Sequence, residues 1–200
     1  MLKNINLLSS DVWVPIIAVL AVILVIFIII LCWWISTKNW FNRTKVKIDE
    51  AKSSIDVSLT KRYDLLTKSL ATVKGYAKHE YETITKTIEM RNSGHIQDMS
   101  MKEKSEFAGK LTEASRQLNV VMENYPDLKA SENFSRLQIQ IQDCEDNLQA
   151  SRRIFNSNVS IYNQKVVSFP SSLVAKSSHL EKEDFFEAEK AKREDVKIEF

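Results

Sequence analysis

Residues 12–35 read VWVPIIAVLAVILVIFIIILCWWI and contain no charged side chain. These 24 residues decide the fold. At about 1.5 Å rise per residue, a helix of this length spans roughly 36 Å. A bilayer's hydrocarbon core is about 30 Å thick, so the stretch is long enough to cross it with some tilt. A helix that is apolar on every face needs either lipid or a large protein around it. The remaining 176 of the 200 residues are too polar and too few to enclose it. A transmembrane helix is therefore predicted over 12–35.

A secretory signal would have an apolar run of about 7–15 residues and small residues at a cleavage site. This run is longer and closes on Cys32-Trp33-Trp34-Ile35, which predicts a retained anchor. Ile30 and Leu31 precede Cys32, so the small residues of a lipoprotein site are missing too. Lys3 and Asp11 stand before the span. Lys38, Arg43, Lys45 and Lys47 follow it, with no acid until Asp49. By the positive-inside rule this asymmetry predicts a cell-membrane protein with one span, its N-terminus outside and residues 36–200 in the cytoplasm. Trp13 at one end and Trp33, Trp34 and Trp40 at the other are placed to sit at the two interfaces. The organisation expected is a short external tip (1–11), the span (12–35), a helical bundle (36–170) and a charged, partly disordered tail (171–200).

The formal net charge is +2, too little to point to nucleic acid. The excess is local: residues 36–92 carry 12 Lys/Arg and 7 Asp/Glu, whereas 171–200 carry 6 and 8. The basic surplus thus adjoins the bilayer. Only three glycines and three prolines punctuate the chain, which favours long helices over a sandwich or barrel. Cys32 and Cys144 are too far apart in context to form a disulfide framework, in keeping with a reducing compartment.

From Ile48 onward the apolar positions recur at helical spacing. Ile55, Leu59, Leu66, Leu70, Val73, Ala77, Ile84 and Ile88 make one stripe, predicting a helix unbroken to about residue 92 with Gly75 inside it. Asn92-Ser93-Gly94 is its stop signal. Ser100 and Glu103 have capping-box spacing and start a second helix. Its stripe is Phe107, Leu111, Ala114, Leu118, Val121 and Tyr125, and it ends at Pro126. A third helix, about 131–168, carries Phe134, Leu137, Ile141, Cys144, Leu148, Phe155, Tyr162, Val166 and Phe169. The fold class predicted is all-α: the transmembrane helix, then an antiparallel bundle with the shallow left-handed crossings of coiled coils. Beyond 170 the chain reads as loosely held, helical in part near 182–195.

Several blocks stand in order: Ile55-Asp56-Val57-Ser58-Leu59 with Lys61 to Leu66, Val73-Lys74-Gly75-Tyr76-Ala77 with His79-Glu80, and Tyr125-Pro126-Asp127-Leu128-Lys129-Ala130. Glu145, Arg152-Arg153, Asn156, Tyr162-Asn163, Phe169-Pro170 and Phe185-Phe186-Glu187-Ala188 follow. In these blocks the chain resembles the LemA family of bacterial membrane proteins. The resemblance implies an N-terminal transmembrane helix, a small external tip and a cytoplasmic helical bundle; it carries no activity. Thr67-Lys68 stand where the family commonly has Pro-Asn. Ser178-His179-Leu180 replace its Phe-Gly-Phe.

His79-Glu80 lacks the second histidine of a zinc-protease helix, because position 83 is Thr83. No phosphate loop, dinucleotide fingerprint or nucleophile elbow occurs. The chain is accordingly read as no enzyme, with no cofactor, no metal and no nucleic-acid partner. The unusual feature is polar residues on the helix seams: Arg62, Asp64, Glu80, Glu145, Arg152, Asn156 and Asn163. They either fix helix register through ion pairs and hydrogen bonds or line a partner groove. The ion pair expected joins Arg62 or Arg152 to Glu145 or Glu80. Trp13, Trp33, Trp34, Lys38, Arg43, Lys45 and Lys47 are assigned to the membrane interface. The function expected is a membrane-anchored scaffold or adaptor that presents the bundle to a protein partner, either a cytoplasmic protein or a second membrane protein. The alternative is a self-assembling protein that shapes or organises the membrane.

Overall fold

The computed structural model describes residues 3–75, 77–88 and 96–186, with side chains from Trp13 onward and without those of residues 87 and 88. All regular structure among them is helical. The helices are α1 (Lys3–Val73), α2 (Lys78–Ile88), α3 (Met101–Asn124), α4 (Pro126–Lys129), α5 (Glu132–Val167) and α6 (Ser171–Ser177). The chain forms two compact units. One comprises residues 1–45 with 164–181, the other 46–163 with 182–200.

The first part of α1 is long and apolar enough to cross a membrane, and it is bare. Its large side chains from Trp13 to Leu31 are 43–66 % exposed. Pro15 lies inside α1 without ending it. One helix thus runs from the span into the polar sequence and stops only at Val73.

The first expected helix is two helices. α1 does not reach residue 92, because the ladder loosens where β-branched Thr72 and Val73 meet Gly75. The Gly75 amide tightens onto the Thr72 carbonyl (3.4 Å), and the Ala77 amide reaches the Val73 carbonyl (2.8 Å). Glycine in a helix interior costs about 1 kcal/mol relative to alanine, and this is where that cost is relieved. Gly75 marks no close helix approach. The nearest atom to a Cβ built there is the Thr72 carbonyl oxygen at 3.7 Å. The expected stop at Asn92-Ser93-Gly94, and the side chain of Ile88, lie outside the described residues.

In the second unit α1, α2, α3 and α5 pack as a four-helix bundle. Asp56 pairs with Lys104 and Arg62 with Thr112, so α1 and α3 run the same way. α2 runs the other way along α3: Glu80 meets Tyr125 at one end of α3, while Ile84 shares a groove with Gln117 and Val121 further back. α5 runs against α1, with Cys144 at the Ser58 carbonyl and Asn158 at the Lys47 carbonyl. The bundle is up, down, up, down. Three helices were expected, and the fourth comes from the break at Gly75.

The predicted stripes form the core. Ile55, Leu59, Leu66, Leu70, Val73, Ala77 and Ile84 are buried, as are Phe107, Leu111, Ala114, Leu118 and Val121. On α5 Phe134, Ile141, Cys144, Leu148, Phe155 and Tyr162 are buried. Burying one such large side chain fully is worth about 1.5–3 kcal/mol, so these faces are the main drive for association. Tyr125, Leu137 and Val166 are half-buried. Phe169 departs from its stripe altogether, being 82 % exposed just beyond the end of α5. α3 begins as expected. The Glu103 amide donates to Ser100 Oγ (3.3 Å), and Glu103 Oε2 accepts from the Ser100 amide (2.8 Å).

The segment expected to be loosely held is built differently as well. Residues 171–177 form α6, with Val174 and Ala175 buried. Residues 180–186 are not helical, and Phe186 is buried. The rest of the stretch expected to be helical lies outside the described residues.

Because Gly75 has a negative φ and an open Cβ position, Gly75→Ala restricts the unfolded chain without straining the folded one. We expect the substitution to raise stability by about 0.4–1 kcal/mol, read as a higher midpoint in thermal unfolding of the full-length protein in detergent. A clear loss of stability would mean that the turn needs glycine.

Candidate functional site

Among the described residues, two ion pairs cross the interior of the bundle. Arg62, on α1, has a side chain only 2 % exposed and pairs with Glu145 of α5. Its Nη2 also donates to Thr112 Oγ1 of α3 (3.2 Å). One guanidinium therefore joins three helices, which its fork of five donors suits and a lysine could not imitate. The second pair joins Lys104 Nζ of α3 to Asp56 Oδ1 of α1 at 2.5 Å, with the Lys104 side chain wholly buried. Arg62–Glu145 is one of the pairings the sequence led us to expect.

The other seam residues go elsewhere. Glu80 does not meet an arginine; its Oε1 accepts from the Tyr125 hydroxyl (3.1 Å). That bond favours the protonated phenol and holds the Tyr125 pKa above its usual value, burial adding to it. Asp64 is exposed and lines a shallow groove with Asp56, Thr60, Lys61 and Gln97. Arg152 lies against an aromatic ring: its guanidinium carbon is 4.5 Å from the centroid of Phe186.

Asn156 and Asn163 do something the sequence left undecided. Asn156 Nδ2 donates to the Phe186 carbonyl (3.0 Å), and its Oδ1 accepts from the Phe186 amide (2.8 Å). Asn163 makes the same pair of bonds to Glu183, both at 2.8 Å. Each side-chain amide reads a peptide backbone as a neighbouring strand would. The spacing explains why it works. Seven helical residues rise about 10.5 Å, and three extended residues cover roughly 10 Å. Asparagines at i and i+7 on one face are thus matched to an extended segment at j and j+3, running the other way. Phe186 closes the arrangement, buried beneath Arg152. The groove reading and the structural reading of these residues meet here, and the groove's occupant is the chain's own residues 183–186.

The remaining candidates lie along the apolar part of α1 and just after it. Trp13 is exposed. Trp33 and Trp34 are half-buried and meet edge to face, their centroids 6.5 Å apart. Lys38, Arg43, Lys45 and Lys47 are exposed. Trp40 packs within its unit, edge to face on Phe41 (5.4 Å) and under Lys165 Nζ, 4.2 Å from its ring centroid. Of the groups that matter, sequence reasoning missed Lys104 and Asp56 as a pair. The available signal was an acid and a base on otherwise apolar faces: Asp56 adjoins Ile55, and Lys104 stands three residues before Phe107.

The LemA family model matches residues 51–200. Protein LemA of Metamycoplasma hominis is 29 % identical over 163 residues, which cover 82 % of this chain and 74 % of that protein.

Removing one partner of a buried pair strands the other charge, which costs about 3–5 kcal/mol, whereas replacing both with apolar residues is often neutral. Lys104→Met is expected to destabilise by that order, and Asp56→Leu with Lys104→Met to recover most of the loss in chemical unfolding. Cys144 supplies an independent check on packing. Burial pushes its thiol pKa up, so little reactive thiolate forms at neutral pH. Alkylation of Cys144 should be slow in the folded protein and accelerate on unfolding. Between the ordinary thiol range and the raised folded value the unfolded chain ionises first, so this thiol lowers stability as pH rises there.

Proposed function

We propose that this chain, which belongs to the LemA family, is a membrane-anchored adaptor without enzymatic activity whose bundle holds extended protein segments. In this reading the N-terminal part of α1 crosses the cell membrane once, the tip lies outside and the bundle faces the cytoplasm. The exposed, charge-free span and the basic residues that follow it support the anchor and its orientation. The observation that carries the adaptor role is the pair Asn156 and Asn163. They grip residues 183 and 186 through backbone atoms alone, so the seam demands little of a partner's sequence beyond an aromatic side chain for the Arg152 slot. The chain's own tail is then the intramolecular competitor for a partner.

A second reading, self-assembly that organises the membrane, draws on a different surface. Val57 and Ile154, 65 % and 57 % exposed, flank a groove of small side chains between α1 and α5 that includes Ser54, Ala150 and Ser151.

The test uses the full-length protein in its native membrane with a photoreactive residue at Ile161, exposed on α5. One reproducible partner of different sequence is expected. Its yield should rise when the chain is ended after Leu180 and fall with Asn156→Ala plus Asn163→Ala. Cross-links only between copies of the chain would favour self-assembly, and no cross-link in any form would remove the adaptor reading.

A further inference from the structure

Phe169 is the most exposed large apolar side chain described, at 82 %, and it belongs to the same compact unit as the span. Val167 and Leu173 beside it are 57 % and 50 % exposed. These three lie where α5 ends and α6 begins. The opposite face of this corner is packed, with Ser171, Val174 and Ala175 buried. A corner built with one closed face and one apolar face turned outward is an unpartnered surface.

Its place along α1 says what covers it. Lys165 sits over Trp40, and Trp40 is five residues past Ile35, about 7.5 Å along the helix. The headgroup layer on each side of a bilayer is about 5–8 Å thick. Thr37 and Phe41 are buried and Trp33 and Trp34 half-buried, whereas the rest of the span is bare. The segment that shares this unit with α1 is 164–181, so the corner reaches toward the tryptophans at the foot of the span. Charge agrees with that position. Lys38, Arg43, Lys45, Lys165 and Lys176 belong to the same unit as the corner, and the only acid in 12–45 or 164–181 is Glu181.

We infer that the α5–α6 corner is a second membrane contact: Phe169, Leu173 and Val167 enter the interface of the anionic leaflet from which α1 emerges, and the five basic side chains meet its phosphates. Aromatic and aliphatic side chains below a basic rim are how monotopic segments lie in a bilayer surface. Such a contact would hold the chain to the membrane at two points, the second without spanning it. The inference rests on the anchor reading proposed above, and its test is arranged to separate the two.

The experiment places an environment-sensitive fluorophore on single cysteines in the full-length protein, in a Cys32→Ala, Cys144→Ala background. The protein is reconstituted in vesicles of phosphatidylcholine and phosphatidylglycerol. The labelled variants are Phe169→Cys, Leu173→Cys, Phe27→Cys within the span and Ile139→Cys as an exposed reference in the other unit. At 169 and 173 we expect a blue-shifted emission, strong quenching by lipids brominated near the headgroup, and protection from aqueous iodide relative to 139. Omitting phosphatidylglycerol should weaken the lipid quenching at both positions, and no change would overturn the anionic-leaflet assignment. Lipid quenching at 27 with iodide quenching at 169 and 173 equal to that at 139 would overturn this contact and leave the anchor standing. No lipid quenching at 27 would overturn the anchor and this contact together. Protection at 169 and 173 from both quenchers would show a second protein copy over the corner, and would also overturn it.

Discussion

A wholly buried ammonium fixes how this bundle closes. Lys104 has no exposed side-chain surface, and its charge is met by Asp56 on another helix. An ammonium transferred from water to a protein interior loses several kcal/mol of hydration, which a well-placed carboxylate offsets only at close range. α3 can therefore sit at one height along α1, because a one-turn slip of about 5.4 Å would separate the pair. Apolar stripes alone would not resist that slip, since Leu and Ile repeat every three or four residues along all three faces. Arg62 repeats the logic at the next layer, reaching Glu145 on α5 and Thr112 on α3. The apolar faces supply the drive to associate, and the two cations select the register.

This division also explains what could be read in advance. The apolar helix, most of the stripe positions and the Ser100 cap depend on local composition and spacing, and the structure has that helix, those buried faces and that capping box. The break at Gly75 was harder, because the stripe of α1 continues in phase through Ala77 and Ile84. Both halves bury the same kind of face, so periodicity could not show that the second half turns back. The sense of α3 relative to α1 depends on that one turn. Lys104 escaped notice for a related reason. A lone lysine near an apolar stripe ordinarily covers it with its methylenes and keeps the ammonium in water. Only the nearness of Asp56, 48 positions earlier in the chain, makes full burial tolerable.

Arg152 shows the same limit from the other side. Charge complementarity in the sequence pointed to a carboxylate for it and did not point to the ring of Phe186, which lies against its guanidinium. A guanidinium is planar and weakly hydrated, so it stacks well on an aromatic face. The contact joins positions 152 and 186, which share no helix, and helical spacing alone does not bring them together.

The asparagine pair extends the argument from packing to recognition. A side-chain amide carries one acceptor and two donors, so it can satisfy the N–H and C=O of one residue in an extended segment at once. Two such amides seven residues apart satisfy two residues three apart, and the match follows from the ratio of helical to extended rise. Residues 183 and 186 keep their backbone N–H and C=O groups bonded although the segment joins no sheet, which lowers the usual cost of laying an extended chain on a helical surface. Its side chains contribute at one point, the slot where Phe186 is buried. A surface of this kind discriminates by extended shape and by one aromatic residue. Residues 183 and 186 meet it as part of the same chain, so their effective concentration at the asparagines is high.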